Sequence, residues 1–368
     1  MLKVKDSLQL LYEALLFQIL KPWLGTSFAY QLSFKPKRAH IGLTERCNSK
    51  CITCGLWKGR PTNELTNEEV KGALSQLREL GIRRIAFTGG ECTLKKDLAE
   101  IIEYTREIGF TEIHINSNGL LLSQEKAIAL INSGLNSIQI SLDGIGEVHD
   151  TIRGVKGSYD KAIDTLKMLV RLRDTTATDL QISIAMTILD LNVDQVLDVF
   201  EICKNMNIHF GFNLPTNTLY GYLTADLQNM MEIDREKLDC LVDELHRLTK
   251  RHPNILGQSQ LIFEYMKRYF DDPRMPEHPC CVGYYVLYIG AHGEVYPQCL
   301  ALKPLGNLRE SSLKEILAHK TYRQQLRDMY FKKCPGCSCY MSLNMLHELS
   351  ALKEESLWRV GLRRIKKV

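Results

Sequence analysis

An alternation of strand and helix patterns from residue 39 onward is the feature that most restricts the fold of this chain. Short apolar runs recur, and each is followed by a stretch whose apolar residues repeat near the 3.6-residue period of a helix. Six such units predict six parallel strands joined by right-handed crossovers. Because a closed barrel of this kind needs eight units, we expect an α/β fold with an open, partial (βα)6 TIM barrel.

Local signals set the expected boundaries of these elements. Thr66 and Glu69 form a capping-box pattern at the start of one helix, and Gly81 ends that helix. The predicted strands are 39–44, 83–87, 112–116, 137–142, 180–188 and 208–213. The predicted helices are 66–80, 98–108, 124–133, 159–172, 193–206 and the stretch after 225.

The whole chain divides into five predicted segments: an N-terminal amphipathic helical segment at 1–38, the partial barrel at 39–225, a helical connector at 226–275, a small α+β domain at 276–345 and a basic tail at 346–368. Polar residues interrupt the helix expected at 6–24, so it cannot span a bilayer. It docks on the barrel or on a partner, or it lies in a membrane interface. The tail has the same alternatives, with a solvated end as the default.

Charge and cysteine content restrict the partners and the compartment. The net charge of +4 arises from basic ends, because residues 41–358 carry −5. A slightly acidic body excludes a nucleic-acid-binding surface. The twelve cysteines fall mostly in two dense groups, and no signal peptide precedes them. This pattern indicates metal ligation in a reducing cytoplasm rather than disulfides, with peripheral membrane contact through the termini as an additional expectation.

The first group of cysteines follows the first predicted strand. Cys47, Cys51 and Cys54 have the spacing C-x3-C-x2-C, which lets three thiols converge on one face of a tight loop. Three thiols supply three of the four ligands of a [4Fe-4S] cluster and leave one iron open. The alternatives are a zinc knuckle or three unrelated buried thiols.

Polar motifs follow the next three strands at the end where α/β barrels carry their chemistry. Each motif could also be ordinary turn chemistry. These candidate binding residues are Gly89, Gly90 and Glu91 after the second strand, Ser117 and Asn118 after the third, and Ser141 and Asp143 after the fourth. Further along, Arg153 offers a guanidinium fork that suits a carboxylate; a surface arginine is the alternative.

These motifs together resemble the catalytic domain of the radical S-adenosylmethionine (SAM) superfamily over residues 39–214, and residues 280–339 resemble its SPASM/Twitch type of auxiliary-cluster domain. The resemblance implies that the open iron of the first cluster binds SAM. It further implies that Gly89, Gly90 and Glu91 lie near the SAM amino group and that Ser117 and Asn118 lie near its ribose and carboxylate. Ser141 and Asp143 match the fourth-strand position, and Arg153 would bind the SAM carboxylate.

The second group of cysteines follows from the same resemblance. It implies one auxiliary [4Fe-4S] cluster with the ligands Cys280, Cys299, Cys334 and Cys337. Gln298 is an inserted residue next to Cys299, so Cys281 stays open as an alternative to Cys280. Cys339 is either free or a substitute ligand. A four-thiolate zinc site is the remaining alternative.

Two positions depart from the family pattern. Cys92 replaces the usual proline after Glu91, and we expect it to be a buried thiol that binds no metal. Thr53 stands before the third cysteine, where the family usually has an aromatic residue near adenine. The adenine contact must then come from elsewhere, with Trp57 and the strand around Met186 as alternatives.

The implied function is reductive cleavage of SAM to a 5'-deoxyadenosyl radical, which abstracts hydrogen from an unactivated C–H bond. Our main expectation is a small-molecule, carbohydrate or lipid-linked substrate that undergoes oxidation, bond formation or epimerisation. The alternative is a peptide-modifying (RiPP maturase-type) radical SAM enzyme, and the non-catalytic alternative is a SAM- or zinc-binding scaffold. A flavodoxin or ferredoxin is the expected electron donor.

Overall fold

The computed structural model describes residues 36–59, 62–176, 178–215, 233–258, 260–272 and 280–334. The expected N-terminal helix at 6–24, the basic tail and two of the C-terminal cysteines, Cys337 and Cys339, lie outside the described residues. Among the helices that the structure describes, none is both long and apolar enough to cross a membrane.

Six parallel strands in sequential order confirm the predicted partial barrel. Each of the first six strands pairs with the next one along the chain. Their bounds are β1 Arg38–Thr44, β2 Arg84–Gly89, β3 Glu112–Ser117, β4 Ser137–Ser141, β5 Gln181–Thr187 and β6 His209–Asn213. Sequential order with right-handed crossovers places the connecting helices on one face of the sheet and leaves its other face as the inner wall.

The helices of this region are α1 Asn67–Glu79, α2 Leu98–Glu107, α3 Gln124–Ser133, α4 Glu147–Arg153, α5 Ser158–Thr176 and α6 Val196–Met206, followed by α7 Arg235–Arg251 and α8 Gln260–Arg268. The capping box at Thr66 and Glu69 is present as predicted. Alternate strand residues such as Ile41, Phe87 and Ile115 are fully buried in the core between the sheet and the helices.

The C-terminal region contains the antiparallel strands of the predicted small α+β domain, and its first strand continues the barrel sheet. Strand β7 pairs in parallel with β1, and β8 and β9 extend the sheet in antiparallel fashion to nine strands. This pairing satisfies backbone groups that a free edge of β1 would expose. The elements are α9 Val282–Tyr285, β7 Val286–Ile289, β8 Glu294–Tyr296, β9 Gly306–Asn307, α10 Leu313–Ala318 and α11 Lys320–Tyr330.

A second contact fixes the C-terminal region to the barrel. The Arg309 guanidinium binds the Glu69 carboxylate with both of its arms, at 2.6 and 2.9 Å. The same guanidinium also donates to the backbone carbonyls of Asn63 and Glu64. Glu69 therefore caps helix α1 and ties that helix to the C-terminal region at the same time.

Candidate active site

The three cysteines of the loop after β1 line a single cavity at the C-terminal ends of the strands. Cys51 is buried, and Cys47 and Cys54 are half-buried. All but one of the predicted cofactor-binding residues line the same cavity, namely Gly89, Gly90, Glu91, Ser117, Asn118, Ser141 and Arg153. The exception is Asp143, which is not among the lining residues.

Helix α4 holds the cysteine loop from one side. The backbone N–H groups of Lys50 and Ile52 donate to the carbonyls of Arg153 and Ile152, at 2.9 and 3.0 Å. These carbonyls belong to the last turn of α4, where a helix leaves acceptors without an intrahelical partner. Gly154 follows in the left-handed conformation, and a side chain there would lie 2.5 Å from the Lys50 carbonyl. No local sequence pattern predicts this docking.

The end of β3 holds the loop from the other side. The Asn118 side-chain amide donates to the side-chain oxygens of Asn48 and Ser49, at 2.7 and 3.0 Å. Ser49 is only 1% exposed, so this contact lies in the interior of the protein. Asn118 therefore positions the cysteine loop in this structure.

The glycine pair lets β2 approach the backbone that enters the cysteine loop. A side chain on Gly89 would lie 2.1 Å from the Thr44 carbonyl, and one on Gly90 would lie 2.2 Å from the Arg46 carbonyl. Two backbone hydrogen bonds of 2.7 Å cross this contact, from Gly90 to Thr44 and from Glu91 to Arg46. Close backbone packing, rather than approach to a ligand, is thus the immediate requirement for glycine here.

Glu91 links the ends of β2 and β3. Its carboxylate is 1% exposed and accepts hydrogen bonds from the Ser117 hydroxyl, the Asn118 backbone N–H and both the backbone and the hydroxyl of Thr93. Burial of a carboxylate costs free energy unless such donors satisfy its oxygens. The adjacent Cys92 is fully buried as predicted, and its thiol donates to the Asn116 carbonyl.

Arg153, which lines the cavity, forms an ion pair with Asp143, which does not line it. The Nε atom of Arg153 lies 2.7 Å from Oδ2 of Asp143, although the two groups are not aligned for a hydrogen bond. Burial alone would lower the pKa of Arg153, but the Asp143 carboxylate and the thiol of Cys51 raise it above the usual value. The guanidinium also lies 3.6 Å from the Cys51 sulfur, which places a positive charge beside the cysteine loop.

A histidine supports this ion pair. The backbone N–H of Asp143 donates to Nδ1 of His149, at 3.0 Å. Burial, assisted by the nearby Arg153 charge, lowers the pKa of His149 to about 3. The imidazole is therefore neutral and fixes the backbone of the fourth strand end.

The residues present fit an iron-sulfur cluster held by the cysteine loop. Burial raises the pKa of the Cys47 thiol to about 11 and also raises the pKa of Cys54, so iron binding must displace their protons. The positive charge of Arg153 lies beside the Cys51 sulfur and would stabilise the thiolates that bind the iron. Within the described part of the chain no three ligand-type side chains converge on a single-ion position. A cubane cluster instead presents three separate iron atoms to three thiols.

The described auxiliary cysteines lie in two different surroundings. Cys280 and Cys299 are half-buried and both pack against a small apolar cluster of Val282, Val286 and Met329. Cys281 is fully buried in the main core. Cys280 is therefore the more accessible of the two adjacent thiols. Cys334 is half-buried near the end of the described residues.

The described residues match known families over most of their length. The profile of the radical SAM superfamily matches residues 41–201, and that of the SPASM iron-sulfur cluster-binding domain matches residues 280–340.

Two curated relatives illustrate the range of the similarity. The sporulation killing factor maturation protein SkfB of Bacillus subtilis is 30% identical over 77% of this chain and 65% of its own length. The Fe-coproporphyrin III synthase of Methanosarcina barkeri is 35% identical over 57% of this chain and 51% of its own length. The chain therefore spans less than two thirds of both relatives.

A solved structure shares the fold. SuiB of Streptococcus suis, crystallised with its precursor peptide SuiA, matches with a TM-score of 0.64 and 19% identity, over 83% of this chain and 72% of that one. From the two family matches and the cavity geometry, the chain belongs to the radical SAM superfamily and carries a SPASM-type iron-sulfur cluster-binding domain.

Proposed function

We propose that this protein is a peptide-modifying radical SAM enzyme of the maturase type. Its relative SkfB is a maturation protein, and SuiB, which shares the fold, was crystallised with a precursor peptide. These comparisons favour the peptide alternative over our main expectation of a small-molecule, carbohydrate or lipid-linked substrate.

In this proposal Cys47, Cys51 and Cys54 hold the SAM-binding [4Fe-4S] cluster. When bound, the cluster and SAM supply a 5'-deoxyadenosyl radical that abstracts hydrogen from a substrate C–H bond. Gly89 and Gly90 would hold the SAM amino group through their backbone, and Arg153 would bind the SAM carboxylate.

The remaining predicted residues have supporting roles. Ser117, Asn118 and Ser141 present polar atoms at the cavity wall, next to the ribose in this proposal. Glu91 and Asp143 are buried and hydrogen-bonded to protein groups, so they position the wall instead of binding the ligand directly. Cys280, Cys299, Cys334 and Cys337 hold the auxiliary cluster, and a flavodoxin or ferredoxin in the cytoplasm supplies electrons.

The single observation that carries the peptide proposal is the uncharged inner wall of the barrel. In β3, β4 and β5, half-buried residues alternate with core residues, which places them on the inner face of the sheet. After the first residue of each strand these side chains carry amide, hydroxyl, imidazole or methyl groups, namely His114, Asn116, Gln139, Ser141, Ser183, Ala185 and Thr187. Burial lowers the pKa of His114, which is neutral and hydrogen-bonded to Ser137 and Asn116.

The charged residues on the inner face of β1, β2 and β3 lie at the opposite end of these strands and form ion pairs. Arg38 and Arg84 both contact the Glu112 carboxylate at the start of the strands. A wall of neutral donors and acceptors suits peptide amides. A substrate with several carboxylates, such as a coproporphyrin, would need unpaired cations there.

The test is turnover of the full chain with reconstituted clusters under anaerobic conditions. The reaction contains SAM, dithionite and either short peptides encoded beside the gene or iron coproporphyrin. We expect 5'-deoxyadenosine formation coupled to a mass loss on a peptide, and deuterium transfer from the labelled peptide into 5'-deoxyadenosine. Cys51→Ala abolishes both signals, whereas Cys240→Ala, at an exposed thiol on α7, leaves them unchanged. Consumption of the porphyrin without any peptide modification would overturn the proposal.

A further inference from the structure

Trp57 occupies a defined position in the wall of the cavity. It lies in a single 3-10 turn, Leu56–Lys58, that begins two residues after Cys54. Its ring lines the cavity together with the three cysteines of the loop. The indole N–H donates to the Cys51 carbonyl at 3.1 Å, so the ring is tied to a residue that bears a cluster ligand.

Neither Thr53 nor Met186 lines this cavity. Thr53, directly before the third cysteine, is not among the lining residues. Met186 is fully buried in the core between the sheet and the helices. Among the described residues that line the cavity, Trp57 is the only aromatic one.

The cavity thus has a polar part and an apolar part. The ends of β2, β3 and β4 and Arg153 provide polar and charged groups, which suit the charged amino-acid portion of SAM. Leu56 and Trp57 provide an apolar surface beside the cysteine loop. The purine is the one flat aromatic group in SAM, and a purine gains most from an aromatic face.

We propose that Trp57 stacks on the adenine of SAM and replaces the aromatic contact that Thr53 cannot make. The hydrogen bond to Cys51 fixes the indole plane before the ligand arrives, which reduces the ordering cost of binding. The Lys58 ammonium lies 5.4 Å from the ring centroid and holds the indole in a cation–π contact. This inference concerns the cofactor and does not depend on the peptide proposal.

Binding of S-adenosylhomocysteine and of free methionine to the reconstituted full chain tests the inference. Both ligands carry the amino-acid group, but only S-adenosylhomocysteine carries adenine. We expect Trp57→Ala to weaken S-adenosylhomocysteine binding by about 5- to 150-fold, the range for loss of one stacked base, and to leave methionine binding unchanged. Trp57→Phe keeps an aromatic face and retains most of the affinity, whereas Trp57→Leu does not.

The matched control is Thr53→Ala, in the same loop but outside the cavity lining, and it leaves both affinities unchanged. Iron content and equilibrium dialysis are measured for every variant, so that Trp57→Phe and Trp57→Leu decide the question if Trp57→Ala loses its cluster. Three results would overturn the inference: equal affinity of Trp57→Leu and the native chain for S-adenosylhomocysteine, an equal loss in Thr53→Ala, or a parallel loss of methionine binding.

Discussion

Replacement of Gly90 by alanine tests how the cysteine loop is positioned. The new Cβ atom would lie 2.2 Å from the Arg46 carbonyl, whereas an ordinary contact needs 3.4 Å, so the two backbones must separate by about 1.2 Å. The hydrogen bonds from Gly90 to Thr44 and from Glu91 to Arg46 are each 2.7 Å long. A separation of this size breaks both, at a combined cost of about 1–3 kcal/mol.

Cluster binding requires the cysteine loop in its native position. In the alanine variant that position brings the new Cβ atom against the Arg46 carbonyl, so the cost of this contact is subtracted from the binding free energy of the cluster. We expect Gly90→Ala to weaken retention of the loop cluster by about 5- to 150-fold, which is the binding-constant equivalent of that cost. The assay is iron released to a chelator in a Cys299→Ala background, which removes one of the proposed ligands of the auxiliary cluster. Gly72→Ala is the matched control, because a side chain there meets nothing within 4 Å. Equal iron retention in the two alanine variants would refute this reasoning.

Two further predictions concern buried and interfacial charges. Arg153→Gln leaves the Asp143 carboxylate buried without its cation and lowers the free energy of unfolding by about 3–5 kcal/mol; adding Asp143→Asn restores most of the stability in urea unfolding but not the binding of S-adenosylhomocysteine. Burial opposes protonation of His292, but the Asn63 carbonyl and the Glu45 carboxylate outweigh it and raise the pKa of His292 above 6.5. Its contribution to stability, below about 1 kcal/mol at this partly exposed site, is complete below pH 6.5 and disappears as the pH rises through the raised pKa. His292→Gln should therefore reduce the pH dependence of the urea midpoint across that range. An unchanged pH dependence would show that His292 is not the group responsible.

Local patterns in the sequence were sufficient to predict the barrel and most of its cavity. Six strands were recognisable because each is a short apolar or alternating run. Each is followed by a stretch whose apolar residues repeat with the helical period. Since parallel strands end at one edge of the sheet, residues as far apart as Cys47 and Ser141 could be placed in one cavity. The glycines at the end of β2 were also predicted to be necessary. In the structure glycine is required there for close packing on the Thr44 and Arg46 backbone, whereas the sequence predicted an approach to SAM.

Other features depended on contacts that no local pattern records. The run 147–153 forms helix α4, whose C-terminal carbonyls receive the cysteine loop, yet it is too short and polar for a helical period to stand out. The ion pair of Asp143 with Arg153 withdraws one predicted binding residue from the cavity wall. The pairing of β7 with β1 joins segments that are far apart in the chain, and register across such a distance is set by the tertiary fold.

That last pairing has a consequence for biosynthesis. Strand β1 leaves the ribosome about 240 residues before β7 does, which at about 5–20 residues per second leaves one side of the first strand without its final neighbour for about 12–50 s. During that interval β1 is an edge strand with unpaired backbone groups, and it lies next to three thiols that can be oxidised. Stalled or truncated translation before β7 would therefore leave a fragment prone to aggregation. For the same reason, separate expression of the two iron-sulfur regions would require another segment to cover the free edge of β1.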